Sequence, residues 1–283
     1  MRRDVRAGLF GLLLVGACSS GPIALGRLDD PNTGAAPDGG DARAPNPDVT
    51  PPGDDSAVCD PPLPARHYTF DGVGTEVVDA RGGPSGHVLG GATLDGTGIV
   101  RLDGVDDYVD LPNGILAGLG EVTVAVWVRR LGGPAYTRIF DFGTSSIGED
   151  PPAGSNAGGR TYLAATPGTG NVPSGLAVLM STNGPAGESV AVSNVELDKE
   201  MRFVAVAVAK DTLSLFYEGG LVARVPRVVS LADIVDDNSW LGRSQYVIDP
   251  YLTAEISDVR IYPQALSECA VRKLYVEGAN PPP

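Results

Sequence analysis

Histidine is nearly absent from this chain: His67 and His87 are the two imidazoles among 283 residues. Neither stands in a His-Glu-x-x-His pair, and no Gly-x-Ser-x-Gly or phosphate-binding glycine loop occurs. The familiar zinc, serine-nucleophile and nucleotide sites therefore have no sequence support. Basic charge is also short, with 21 Lys and Arg against 35 Asp and Glu, a formal −14. A chain of that sign lacks the basic footprint that nucleic acid requires, and a bare anionic membrane surface is disfavoured for the same reason. Aromatic residues make up 6% of the chain, and Ser19 to Val58 has none. With only three cysteines, Cys18, Cys59 and Cys269, a disulfide-dense scaffold is excluded.

What the chain does have begins with an address. Arg2, Arg3 and Arg6 form a basic start, Ala7 to Val15 an apolar run, and Leu14-Val-Gly-Ala-Cys18 a small-residue cleavage site. The run is shorter than the ~20 residues that span a bilayer. Ending on Gly-Ala-Cys, it resembles a bacterial lipoprotein signal, which implies lipidation of Cys18 and removal of residues 1–17. The other reading is an ordinary signal peptide with an incidental cysteine. Ser19, standing where a retention signal would have Asp, implies the outer membrane. Losing three Arg and one Asp takes the formal charge from −14 to −16. Residues 18–58 are dominated by Asp, Pro, Gly and Ala, and such a segment buries too little apolar surface to offset the entropy of ordering. It reads as a tether with a mean span of roughly 35 Å.

From Cys59 onward the pattern changes to short strands and turns, in keeping with 38 Gly and 24 Pro. His67 to Phe70 is the first expected strand, and Ile99 to Leu102 and Tyr108 to Leu111 read as two strands around the Asp103-Gly104 turn. Glu121 to Arg130 alternates Val122, Val124, Val126 and Val128 with Thr123, Ala125, Trp127 and Arg129. Met201 to Ala209 and Leu213 to Tyr217 predict a hairpin around Lys210-Asp211. Phe203 to Ala209 is apolar on both faces, which predicts a strand covered on both sides. Gly148 to Gly159 and Pro167 to Ser174 read as long loops. In Glu255 to Tyr262, strict alternation puts Ile256, Asp258 and Arg260 on one face and Ser257, Val259 and Ile261 on the other. Ser267 and Gly278 then bracket a short helix carrying Val271, Leu274 and Tyr275. The fold class expected is all-β: an antiparallel two-sheet β-sandwich, a jelly roll with a short C-terminal helix, filling residues 59–283.

Four blocks carry a family resemblance: Gly98 to Leu111 (GIVRLDGVDDYVDL), Glu121 to Arg130 (EVTVAVWVRR), Arg202 to Gly220 (RFVAVAVAKDTLSLFYEGG) and Leu241 to Ser267 (LGRSQYVIDPYLTAEISDVRIYPQALS). In this order and at these separations they resemble the laminin-G-like jelly roll of the concanavalin A-like lectin/glucanase superfamily, over about Arg66 to Gly278. The chain departs from the family pattern at Met201-Arg202-Phe203, where Trp-His-His is common, at Glu218, where Asn or Asp is usual, and at Ala254, where Gly is. The resemblance implies a binding or adhesion module. It also implies a structural calcium, for which Asp71, Asp79 and Asp258 are the candidate ligands; the other reading is that these are turn formers and a solvated strand residue. In a jelly roll the first and last strands are neighbours, which would bring Cys59 to Cys269; once Cys18 is lipidated these two are left to pair in an oxidising compartment, the other reading being two free thiols.

Catalysis is not expected. The superfamily's glucanases carry paired carboxylates at alternate strand positions, whereas Glu255 and Asp258 are three apart and fall on opposite faces of a regular strand. For carbohydrate, the aromatic platforms available are Trp127, Tyr136, Tyr162, Tyr246 and Tyr251. Trp127 reads more simply as a core ring. Tyr246 and Tyr251, flanking Asp249 in a loop, are the candidate ligand-binding residues. The expected partner is an extracellular or envelope glycan, with a protein partner as the alternative and the membrane engaged through the lipid alone.

Overall fold

The computed structural model describes residues 59–279; Cys18, the signal and the tether lie outside them. Two antiparallel sheets face each other across one core. The first, of seven strands, runs in space Arg66–Tyr68, Thr253–Tyr262, Val122–Gly132, Arg202–Val208, Thr212–Tyr217 and Gly220–Pro226, with Val100–Asp103 also paired to Thr253–Tyr262. The second, of eight, runs Ser189–Val192, Ala177–Ser181, Gly159–Thr166, Phe140–Ser145, Asn238–Leu241, Tyr108–Leu111, Gly86–Leu89 and Glu76–Val77. This is the expected β-sandwich jelly roll. No helix among the described residues is long and apolar enough to cross a membrane.

Valine periodicity builds the core. Val122, Val124, Val126 and Val128 point between the sheets with Val204, Val206 and Val208 from the neighbouring strand. The alternate positions Ala125, Trp127, Phe203, Ala205 and Ala207 form a second apolar layer on the outer face of the first sheet, closed by Ala270, Val271 and Leu274 of the terminal helix Glu268–Glu277. That double covering explains a strand apolar on both sides. Trp127 is accordingly a packing ring, 4.7 Å from the Phe203 ring centroid. The Ser267 side chain accepts the Ala270 N–H, and Gly278, at φ 80°, ends the helix. The hairpin Arg202–Val208 to Thr212–Tyr217 forms as expected. At the next turn Glu218 takes the left-handed conformation, φ 49°, where the family pattern has Asn or Asp. Its carboxylate accepts the Phe203 N–H at 2.7 Å and the Tyr275 hydroxyl at 3.2 Å.

Two expectations need correction. Val100–Asp103 and Tyr108–Leu111 are not a hairpin: the first joins Thr253–Tyr262 in one sheet and the second lies between Asn238–Leu241 and Gly86–Leu89 in the other. The Asp103-Gly104 turn therefore carries the chain across the sandwich. In the closing strand, Ile256 pairs with Val128 and Asp258 with Trp127, so Ser257 is an unpaired bulge residue. The bulge moves Ile256 to the core face with Val259 and Ile261. Asp258 is thereby turned outward with Glu255, on the same face and not on opposite faces.

Candidate functional site

Alternation on the second sheet decides which side chains reach its outer face. Phe140 and Phe142, Leu163 and Ala165, and Val178 and Met180 go to the core, which sends Asp141, Tyr162 and Leu179 outward. Over this face lie the turn holding Tyr136 and Arg138 and the loop holding Tyr246 and Asp249. Tyr162 and Leu179 with these two segments, Pro185 and Glu188 line a cleft of about 310 Å³, within the size range of small-ligand sites; Asp141 lies beneath it. Two larger grooves lie among the described residues. That at Thr144–Gly148 and Asp233–Asp237 has no aromatic lining; that beside Pro61–Pro64 has as its aromatic residue Tyr262, which is packed into the helix layer.

Charge in the cleft centres on Arg138, 5% exposed. Its Nε lies 3.3 Å from Asp141 Oδ2, its Nη2 donates to Asp249 Oδ2 at 3.0 Å, and its Nη1 donates to the Tyr136 carbonyl at 2.6 Å. Burial pushes the Asp141 carboxyl up to about 6 in spite of this arginine and of the Gln245 N–H that it accepts. Burial also raises Asp249, which takes the Ser244 hydroxyl at 2.8 Å, and Glu188. The Tyr162 hydroxyl donates to Glu188, and burial followed by that hydrogen bond holds its pKa well above the ordinary value. The Tyr162 and Tyr246 rings meet edge to face at 5.9 Å. A side chain at Gly159 would strike both rings, so the glycine that opens this strand makes room for the tyrosines. Tyr136, at the rim, is 45% exposed and holds φ 67°, a backbone conformation that is rare for a bulky residue and tends to cluster at ligand sites.

Of the expected ligand loop, Tyr246 and the Asp249 that its two tyrosines flank enter this cleft with the platforms Tyr136 and Tyr162. Tyr251 does not. It packs 6.2 Å from the Tyr108 ring, over which Arg243 lies at 4.8 Å while also covering Trp240 at 4.0 Å. The loop turns at Tyr246–Asp249, where the Asp249 N–H donates to the Tyr246 carbonyl at 2.9 Å, and it is closed by the Leu252 N–H on the Gly242 carbonyl at 3.0 Å. Arg138 and Glu188 went unrecognised in the sequence, because only strand pairing brings residues near 138, 162, 188 and 246 together.

The three aspartates proposed for calcium do not converge. Asp71 accepts from Thr69 Oγ1 at 2.8 Å. Asp79 closes its own turn, accepting N–H groups from His67, Arg81 and Gly83 and the Arg66 guanidinium. Asp258 is fully buried against Arg260, at 3.2 and 3.1 Å, and His67 Nε2, at 3.2 Å. Positive partners and backbone donors hold Asp79 and Asp258 where a cation would compete for the same oxygens. Among the described residues the acidic group with ligand atoms close together is Asp103, Asp106 and Asp107. Asp103 and Asp107 there already accept backbone N–H groups of Val105, Asp103 and Ala92. Glu255 is likewise engaged, by Arg101 at 3.1 Å and Arg129 at 2.8 Å.

A disulfide joins Cys59 to Cys269, with Cα atoms 5.0 Å apart. The start of the domain is thus fixed to the terminal helix, on the outer face of the first sheet and across the sandwich from the cleft.

A family model described as the concanavalin A-like lectin/glucanases superfamily matches residues 103–272, more than half of the chain. No curated protein sequence matches. Among solved structures, domain 4 of AbnA, a GH43 extracellular arabinanase from Geobacillus stearothermophilus in complex with arabinotriose, is 16% identical with a TM-score of 0.52, over 75% of this chain and 97% of that one. The CBM40 of the Ruminococcus gnavus IT-sialidase, bound to α2,3-sialyllactose, is 16% identical with a TM-score of 0.50, over 62% and 95%. A Trypanosoma rangeli sialidase is 17% identical with a TM-score of 0.54, over 75% of this chain and 32% of that one. At such identities the likeness is one of fold.

Proposed function

Because the chain belongs to the concanavalin A-like lectin/glucanase superfamily, we propose that it is a non-catalytic binding module whose tyrosine cleft takes carbohydrate. The observation that carries this is the cleft itself: exposed Tyr136 and half-buried Tyr246 supply ring faces for sugar C–H groups, and Glu188 and Asp249 supply acceptors for hydroxyls. Solved domains of this fold hold arabinotriose and sialyllactose, in keeping with such a use. Glu255 and Asp258, the acidic residues nearest to a glucanase pattern, are engaged by arginines, which favours binding over hydrolysis. A glycan array probed with the mature protein tests the reading. Signal that is lost in Tyr246→Ala supports it; the absence of any glycan signal favours the protein-adhesion alternative.

The module is further proposed to be lipid-anchored at Cys18 in the bacterial envelope, at the outer membrane, on the strength of Leu14 to Cys18 and Ser19. Cys18→Ser should abolish palmitate labelling and release the protein. Unchanged labelling in that variant would refute the anchor.

A further inference from the structure

Resting on the reading of the cleft as a sugar site, we propose that it selects uncharged glycans and rejects those carrying a carboxylate. A site for sialic or uronic acid needs a cation with its donors free to fork the sugar carboxylate. Among the residues lining this cleft the cation is Arg138, and three of its five N–H donors are already taken: Asp141 at 3.3 Å and Asp249 at 3.0 Å hold its Nε and one N–H of Nη2, and the Tyr136 carbonyl takes one of Nη1. Two carboxylates thus face one guanidinium, and Glu188, which accepts the Tyr162 hydroxyl and also feels the Arg138 charge, adds a third acid to the lining. An acidic sugar placed between Tyr136 and Tyr246 would meet Asp249 and Glu188 within a few ångströms, in a part-buried space where repulsion between like charges is weakly screened. A neutral sugar meets the same oxygens as acceptors for its hydroxyls, and the tyrosine hydroxyls as donors or acceptors. The arrangement therefore discriminates by repelling the wrong ligand as well as by bonding the right one.

The test is calorimetry of the mature full chain against paired oligosaccharides that differ by one acidic residue, lactose with α2,3-sialyllactose and arabinotriose with a uronic-acid-bearing trisaccharide, alongside neutral hits from the array. The expected result is measurable binding of neutral members, abolished in Tyr246→Ala, with acidic counterparts at least ~10-fold weaker. Glu188→Gln and Asp249→Asn, each removing one negative charge with little change in shape, should narrow that gap by raising the affinity for the acidic member. An acidic member bound as tightly as its neutral counterpart would overturn the selectivity and leave the sugar site standing. A gap unchanged in both variants would also overturn it, since size and not charge would then be responsible. If no member of the panel or array binds, the sugar site fails and this inference with it.

Discussion

The guanidinium of Arg138 lies 3.0 Å from the Asp249 carboxylate while its Nε faces Asp141 at 3.3 Å. One buried cation thus holds the lid of the cleft and the strand beneath it. Arg138→Ala would leave Asp141, 1% exposed, without its counter-ion. Removing one partner of a buried pair destabilises by on the order of 3–5 kcal/mol. Because Asp141 can take up a proton instead, the loss should be largest at pH 7 and smaller near pH 5. Urea denaturation at both values measures the difference; equal losses would mean that Asp141 is not their source.

A related expectation concerns the unmodified protein. Burial raises Asp110, Asp141 and Asp236 each to about 6. A carboxyl raised in the folded state binds more protons folded than unfolded, so its contribution falls as pH rises from about 4 to about 6 and stays flat above. Asp198, lowered to about 2 by the Arg202 hydrogen bond, acts in the opposite sense, but its stability is lost only as pH falls below about 4. The melting temperature should therefore increase on acidification from pH 7.5 to 5. A decrease over that interval would contradict the assignment.

Why some of this was readable in the sequence follows from where each signal resides. The doubly covered strand Arg202–Val208 was legible because every position from Phe203 is apolar, and the terminal helix because Ser267 and Gly278 sit at its ends. The Asp103-Gly104 turn signalled a reversal, but a turn does not say whether the chain returns to the same sheet or crosses to the other. The Ser257 bulge has no local mark, since the mismatch arises from register against Val128 and Trp127. In the cleft, Tyr246 and Asp249 were visible as polar and aromatic loop residues. Arg138 and Glu188 were not, as their meeting depends on pairing among strands far apart in sequence, and the φ of Tyr136 is set by its turn and its hydrogen bond to Gly168.

The disulfide offers a separate prediction. Its cysteines are 210 residues apart, and a cross-link over so long a loop restricts the unfolded chain by on the order of 5 kcal/mol in the entropy model, with measured gains often smaller. Cys59→Ser with Cys269→Ser should lower the melting temperature. Glycan affinity measured well below the melt should not change, because the cleft lies on the other sheet. Labelling of both Cys59 and Cys269 by a thiol reagent in denatured, unreduced protein would refute the bond.

Tyr136 allows packing to be separated from binding. Its backbone sits at φ 67°, where a residue with a Cβ is disfavoured by ~1 kcal/mol and glycine is not. Its N–H donates to the Gly168 carbonyl at 2.9 Å, a bond that a substitution preserves, and the residue is 45% exposed. Tyr136→Gly should therefore leave stability within about 1 kcal/mol of the original, while a sugar that stacks on the ring loses roughly 10-fold in affinity. Gly170 supplies a second handle, since a side chain there would strike the Tyr136 hydroxyl. Gly170→Ala should displace the ring and weaken binding in the same direction with Tyr136 intact. If Tyr136→Gly instead destabilised by the roughly 3 kcal/mol typical of losing a core aromatic, the ring would be packing and not a platform, and its left-handed backbone would need another explanation.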